Sequence, residues 1–369
     1  MKKAKSIIVL VLVASILLMA ACGGQSTAPT PAPTTPAAPT APANGSDATN
    51  GNPLAEGPQI TLIAASSNVE DHPYHQTLLA MNDFLVERTE GRISLDIFSA
   101  GQMGSERELA EAAAMGAVDL IVISNAPFTN FEPSFMLWDL PFLANTRAEY
   151  FAILDSDFGR EMLDRLEDSG FKGLAFWDAS YANLYADRAV QTPEDIVGMN
   201  VRVLESEVYL FAVEALGANP VTIAWPETYT ALQNRTVSGA LTTTASGFGA
   251  NLIDVAPYYT LLEIIYMALP FVISLERWNS LSEMDQELIM EAALFGREFN
   301  RSFTAQFEEE IYERMRAAGG TVTFLTEEEH AAFVAIVRDF VFDRMVGEGR
   351  PISAEDVARV EEILAAYRG

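Results

Sequence analysis

Two rhythms of apolar residues organise the chain. Residues 60–65 (ITLIAA) form a short apolar run suited to a buried strand, and a polar stretch at 66–71 follows it. From 73 to 89, Leu78, Leu79, Met81, Phe84, Leu85 and Val86 supply the apolar positions of a helix, which Gly91 ends. Residues 93–98 alternate as a second strand. The turn at 101–104 then opens a helix in which Ser105 and Glu108 have the spacing of a capping box. Residues 118–123 (VDLIVI) are nearly all apolar, the pattern of a strand in a parallel sheet covered on both faces. Strand, helix, strand, helix, strand predicts an open α/β sheet, whose ligands sit beyond the carboxyl ends of the strands. Ser66, Ser67 and Asn68 after the first strand, and Ser124 and Asn125 after the third, are therefore candidate ligand-facing groups. Turn polars bonding their own backbone would give the same pattern.

The second half repeats the theme. Residues 171–176 suggest a strand, and Arg202 sits between Val201 and Val203 in a run that alternates as a half-buried strand. A guanidinium so placed points either to water or into a cleft where an anion satisfies it. A helix at 206–216, a strand at 221–224, a short helix opened by Pro226 and a Ser/Thr-rich strand at 237–243 follow. After Trp278 comes a long amphipathic stretch. Ser280 with Glu283 offers a second capping box, and Gly319 with Gly320 closes it. At 1.5 Å per residue such a helix spans roughly 50 Å, longer than one lobe of a protein this size.

Charge and composition narrow the partners. The 369 residues carry 51 acidic against 23 basic side chains, a formal charge of -28, which argues against nucleic acid or an anionic membrane face. Lys2, Lys3 and Lys5 precede an apolar run at 7–21 that is short for a membrane span and ends in small residues, so residues 1–21 read as a signal peptide. Leu18 to Cys22 (LMAAC) resembles a bacterial lipoprotein signal, which implies lipidation of Cys22. Cys22 is the sole cysteine, so the folded part has no disulfide, thiol nucleophile or cysteine metal ligand. Residues 22–57, rich in Ala, Pro and Thr, read as a flexible tether. The expected location is extracytoplasmic, on the outer face of the cell membrane or in the periplasm, with the lipid as the sole membrane contact.

Several spaced segments carry a wider resemblance. VERTEGRISLDIFSAGQMGSERELAEAAAMGAVDLIVIS, PSFMLWDLPFL at 133–143, TPEDIVGMNVRVLE at 192–205, LGANPVTIAWPETYTA at 216–231 and WNSLSEMDQE at 278–287 resemble, in order, the solute-binding proteins of tripartite ATP-independent periplasmic (TRAP) transporters. The resemblance implies a two-lobed, periplasmic-binding-protein-like α/β fold with a cleft between the lobes and a long helix spanning both. Lobe I would hold residues 58–180 plus about 268–305, and lobe II 181–267 plus about 306–369. It implies a small carboxylate ligand, delivery to a small and a large membrane subunit, no cofactor and no catalysis.

It also implies that Arg202 grips the ligand carboxylate bidentately, the alternative being an internal ion pair with Glu194, Asp195 or Glu205. Trp225 falls where the family places a pocket aromatic; a core tryptophan is the other reading. This chain departs from the family twice. No second arginine stands near Tyr181, Ala182 and Asn183, and Thr242 takes the place of an asparagine. The expectation is a monocarboxylate with an apolar or hydroxylated body, held by Arg202, Thr242, Asn183, Tyr181 and Ser124. His72 and His75 lie beside Glu70 and Asp71, but Pro73 puts them at a helix entrance and not on one helix face, so His75 is read as a polar cleft-edge group and no metal site is expected. Two other functions remain open: a binding protein of an ATP-driven transporter or sensor, and an extracellular hydrolase or lyase. The absence of a Gly-x-Ser-x-Gly elbow, and the presence of three histidines in all, disfavour the latter.

Overall fold

A computed structural model describes residues 52–369; the leader, Cys22 and most of the tether lie outside the described residues. The strands are β1 (Ile60–Ser66), β2 (Ile93–Phe98), β3 (Leu120–Val122), β4 (Phe171–Ala186), β5 (Asn200–Val203), β6 (Asn219–Thr222), β7 (Gly239–Thr242), β8 (Tyr258–Ser274) and β9 (Thr321–Phe324). They form one sheet in the order β2-β1-β3-β8-β4-β7-β5-β6, with β9 also paired to β8.

Two parallel groups stand at the ends of this order. β2, β1 and β3 run parallel at one end, and β7, β5 and β6 at the other. The antiparallel pair β4 and β8 joins them, in register from Phe171 opposite Ser274 to Ala186 opposite Tyr258. β3 bonds the carboxyl half of β8, whereas β7 bonds the carboxyl half of β4, so each long strand begins in one lobe and ends in the other. The register slips between Asp178 and Tyr181 and between Ala182 and Leu184. Near these slips Ser180 (φ 73°) and Glu263 (φ 48°) take left-handed backbone, which locally bends the two crossing strands. Two side chains secure the bend. Asp178 Oδ1 accepts from the Ser180 N–H at 2.7 Å, and Asn183 Oδ1 accepts from the Glu263 N–H at 2.8 Å.

The long helix, Glu283–Ala317, packs on the first helix (Pro73–Thr89), on β4, and then on the short helix Thr244–Gly249 and β9, and so spans both lobes. Trp177 of β4 anchors it: the indole N–H donates to the Ala293 carbonyl at 3.1 Å, and the ring stacks on Phe271 of β8.

Several expected boundaries differ. The strand expected at 118–123 is only three residues long, and β8 flanks it antiparallel on one side. The strand expected at 171–176 continues to Ala186, and the strand expected at 221–224 starts at Asn219. β8 carried no sequence expectation, because its 17 residues are apolar with little alternation. Ser280 does not cap the long helix. Its hydroxyl donates to the Arg277 carbonyl at the end of a preceding short helix, and Ser282 is the cap, accepting from the Asp285 N–H at 3.2 Å.

Candidate functional site

The cleft between the lobes narrows to two adjoining cavities that share Glu106, Arg202, Leu204 and Trp225. The outer one, with about 440 Å³ of empty space, adds Ser105, Arg107, Ala126, Pro127, Glu205, Ile223 and Ala224 to its wall. Asn68, Tyr74, Ser124, Thr242, Ser246 and Met267 complete the inner one. Both draw walls from each parallel strand group, as expected for loops at strand carboxyl ends.

Arg202 leaves β5 at this junction and is 3% exposed. Its Nε donates to the Ile223 carbonyl at 2.9 Å and Nη1 to the Leu241 carbonyl at 3.3 Å. These two carbonyls, from the segments after β6 and within β7, fix the guanidinium plane. The remaining N–H groups have no hydrogen-bond partner, and no carboxylate comes within 4.0 Å of the group, among the described residues. The internal ion pairs considered above are not made: Asp195 accepts from the Thr192 N–H at 2.8 Å, and Glu205 turns to Arg107 at 3.5 Å. Burial pushes the Arg202 pKa down to about 10, with Glu106 pulling the other way. It stays a cation at neutral pH. Trp225, half-buried, lies with its ring centroid 5.5 Å from the guanidinium carbon and walls the outer cavity.

Opposite stands Glu106, first residue of the helix Glu106–Ala114. Sequence reasoning assigned it no ligand role; an acid in a helix's first turn is ordinarily explained by the dipole alone. Here its carboxylate is fixed by three donors: Ser124 Oγ at 2.5 Å, the Ser124 N–H at 3.2 Å and Ser67 Oγ at 3.3 Å. Tyr74, Ser246 and Met267 were also missed, although Tyr74 follows the His72-Pro73 signal of a helix start. Burial, then the Glu106 charge, raises the Tyr74 phenol well above its usual range, so it is a neutral donor.

The expected contacts divide. Arg202, Trp225, Thr242, Ser124 and Asn68 line the cavities, and Ser67 supports Glu106 from behind. Asn125 does not line them: its amide donates to Asp139 and to the Phe135 carbonyl. Asn183 is consumed between β4 and β8, donating to Tyr259 Oη and the Tyr181 carbonyl while accepting from Glu263. Tyr181 packs edge-on against Tyr150 and Tyr266. His75 is buried in the first helix, outside either cavity wall. Asn125 and Asn183 are taken up by bonds within and between the strands and loops of the fold, and Tyr181 by ring packing. Among the described residues, no group of three or more His, Cys, Asp or Glu could hold a metal ion.

The chain is 31% identical over 250 residues to a solute-binding protein of Verminephrobacter eiseniae, covering 68% of this chain and 74% of that one. It is 27% identical over 290 residues to the 2,3-diketo-L-gulonate-binding periplasmic protein of Escherichia coli, covering 78% and 88%. Among solved structures, a TRAP periplasmic solute-binding protein from Xanthobacter autotrophicus with bound β-D-galacturonate superposes with a TM-score of 0.76 at 26% identity, over 82% of this chain and 99% of that one. The sequence model described as bacterial extracellular solute-binding protein, family 7, matches residues 64–345. The chain belongs to this family, the extracytoplasmic solute-binding proteins of TRAP transporters.

Proposed function

We propose that the protein captures a small hydroxylated monocarboxylate between its lobes and delivers it to the small and large membrane subunits of a TRAP permease, itself held at the membrane by a lipid on Cys22. Family membership makes it a binding component of transport and not a catalyst. One observation carries the ligand class: a buried guanidinium with unsatisfied donors faces a carboxylate fixed by serines. A ligand carboxylate satisfies the first, and ligand hydroxyls donate to the second. A second ligand carboxylate would meet Glu106 instead of another arginine, which disfavours dicarboxylates. Two of the relatives, for 2,3-diketo-L-gulonate and β-D-galacturonate, bind hydroxylated acids and support this reading, whereas a C4-dicarboxylate-binding relative from Rhodobacter capsulatus, 26% identical, makes dicarboxylates the alternative to test. Trp225 and Met267 supply apolar surface for the carbon skeleton.

A thermal-shift panel of aldonates, hexuronates, simple monocarboxylates and dicarboxylates tests the ligand class. A hydroxylated monocarboxylate should give the largest stabilisation. A panel in which only dicarboxylates or neutral sugars stabilise the protein overturns it. For the anchor, Cys22→Ser should release the protein from membranes; unchanged membrane retention refutes lipidation.

A further inference from the structure

His72 and Ser246 form a buried, uncharged contact that joins the two lobes beside the ligand cavity. His72 caps the first helix and is 3% exposed; Ser246, on the helix Thr244–Gly249 of the other lobe, is 7% exposed. His72 Nδ1 accepts from the Tyr74 N–H at 3.2 Å, so that nitrogen keeps its lone pair and the ring proton resides on Nε2. Nε2 lies 3.0 Å from Ser246 Oγ, to which Thr243 Oγ1 also donates. Each partner touches the ligand space directly or through one neighbour. Ser246 lines the inner cavity, and Tyr74, which lines it from the opposite lobe, meets the His72 ring edge to face at 4.2 Å between centroids.

We propose that this contact is a proton-controlled latch, which holds the lobes closed over the ligand while His72 is neutral and lets them part when it is protonated; Nε2–H donates to Ser246 in either state, and opening is driven by the charge that closure would bury and by the cap lost at Nδ1. An imidazolium has no lone pair for the Tyr74 N–H, so protonation sets two N–H groups against each other and breaks the helix cap. It also buries a charge to which no carboxylate is bonded among the described residues. The groups facing His72 do not rescue that charge. They are Tyr74 on its own helix, Thr243 and Ser246 on the other lobe, exposed Asp71 beside it, and Arg314 of the long helix, a like charge across the adjoining groove.

Burial in the closed protein pushes His72 down to about 3, whereas a histidine wetted by opening returns toward its ordinary 6.5. For a group depressed by closure, the closed-state preference is complete above the open-state value and is lost as pH falls below it. Ligand affinity should therefore drop up to about tenfold per pH unit below about pH 6. This latch rests on two-lobed capture and not on which acid is bound.

Nitrogen-15 NMR of the histidine side chains in the full chain, with and without D-galacturonate as the probe, tests it between about pH 4 and pH 8. His72 should show the Nε2–H tautomer and titrate below about pH 5, and Ser246→Ala should move the titration toward 6.5. His72→Gln, whose amide can accept from Tyr74 and donate to Ser246, should retain affinity at neutral pH and lose its decline with acid. A His72 that titrates near 6.5 in the ligand-bound unmodified chain, or whose bound-state titration ignores Ser246→Ala, overturns the latch. If galacturonate fails to bind, the choice of acid is wrong, and the same titration is read on the chain bound to whichever acid of the stabilising panel it takes.

Discussion

Glu106 and Arg202 line the same cavity from opposite lobes, and no bond joins them among the described residues. Each is anchored by its own lobe, Glu106 by Ser124 and Ser67 and Arg202 by two backbone carbonyls. Opposite charges held apart at the rim of a drying cleft attract as the lobes approach. The proposed ligand, with an acceptor at one end and donors along its body, would complete both at once.

On the proposed ligand role of Arg202, its removal should cost binding and not folding. Arg202→Met should weaken binding by two or more orders of magnitude, given about 1.5 to 3 kcal/mol for each charge-assisted hydrogen bond. The ligand-free melting temperature should stay level or rise, because the burial that depresses this pKa to about 10 also disfavours the folded, charged form. Calorimetric titration and a melting curve read the two effects separately. A large loss of ligand-free stability would make Arg202 a structural residue.

Glu106→Gln should separate ligand classes. The neutral amide still receives Ser124, but accepts ligand hydroxyls less strongly, so binding of a polyhydroxylated acid should weaken about tenfold to a hundredfold. A simple monocarboxylate should lose little, and a dicarboxylate should gain, since the like charge is gone. Competition binding across the three classes checks the ordering. Equal losses for all would place Glu106 outside ligand contact.

How much of this was readable beforehand follows from where the information lay. Arg202 was legible because a charged residue inside an alternating strand breaks a local rule. Strands β1 and β2 and the cap at Ser105 were legible because each is specified within a few residues. β8 was not: a strand buried on both faces loses its period, and only its partners β3, β4 and β9 define it. Asn183 and Asn125 illustrate the same limit at the site. Their positions were sound, but Glu263 and Asp139, distant in sequence, take up their amides. Glu106 was hidden in a capping motif that already accounted for an acid there.

The carboxyl-terminal helix gives a pH test of stability. Glu149 accepts from Arg368 Nε at 2.8 Å and Nη2 at 2.9 Å, joining Ala354–Arg368 to the helix Arg147–Leu154. The Arg368 bonds, with the Asn145 and Thr146 N–H groups, outweigh burial and hold the Glu149 carboxyl at about 2. A depressed carboxylate stabilises the fold above its unfolded value, near 4.5, and loses that contribution as pH falls through about 2. Arg368→Ala should thus lower the melting temperature by about 1 to 3 °C at neutral pH. The difference from wild type should shrink between about pH 4.5 and pH 2. A difference independent of pH across that window would assign the effect to lost packing.

At Gly296 the long helix packs closely on the lobe-crossing strand β4. A Cβ there would lie 2.7 Å from Trp177 Cζ2 and 3.5 Å from Thr77 Cγ2. Trp177 has no free direction in which to yield, since its ring is stacked on Phe271 with centroids 4.0 Å apart and its N–H is bonded to Ala293. Alanine in place of glycine normally favours a helix by about 1 kcal/mol. Here overpacking of about 1 to 3 kcal/mol should exceed that gain, so Gly296→Ala should lower the melting temperature by a few degrees. Trp177→Phe should relieve the contact but give up the indole bond to the Ala293 carbonyl, so the double variant should be less destabilised than the sum of the two single ones. Simple additivity in a double-mutant cycle would mean that the helix shifts as a whole to admit the methyl, and that the long helix is not pinned to β4 at this point.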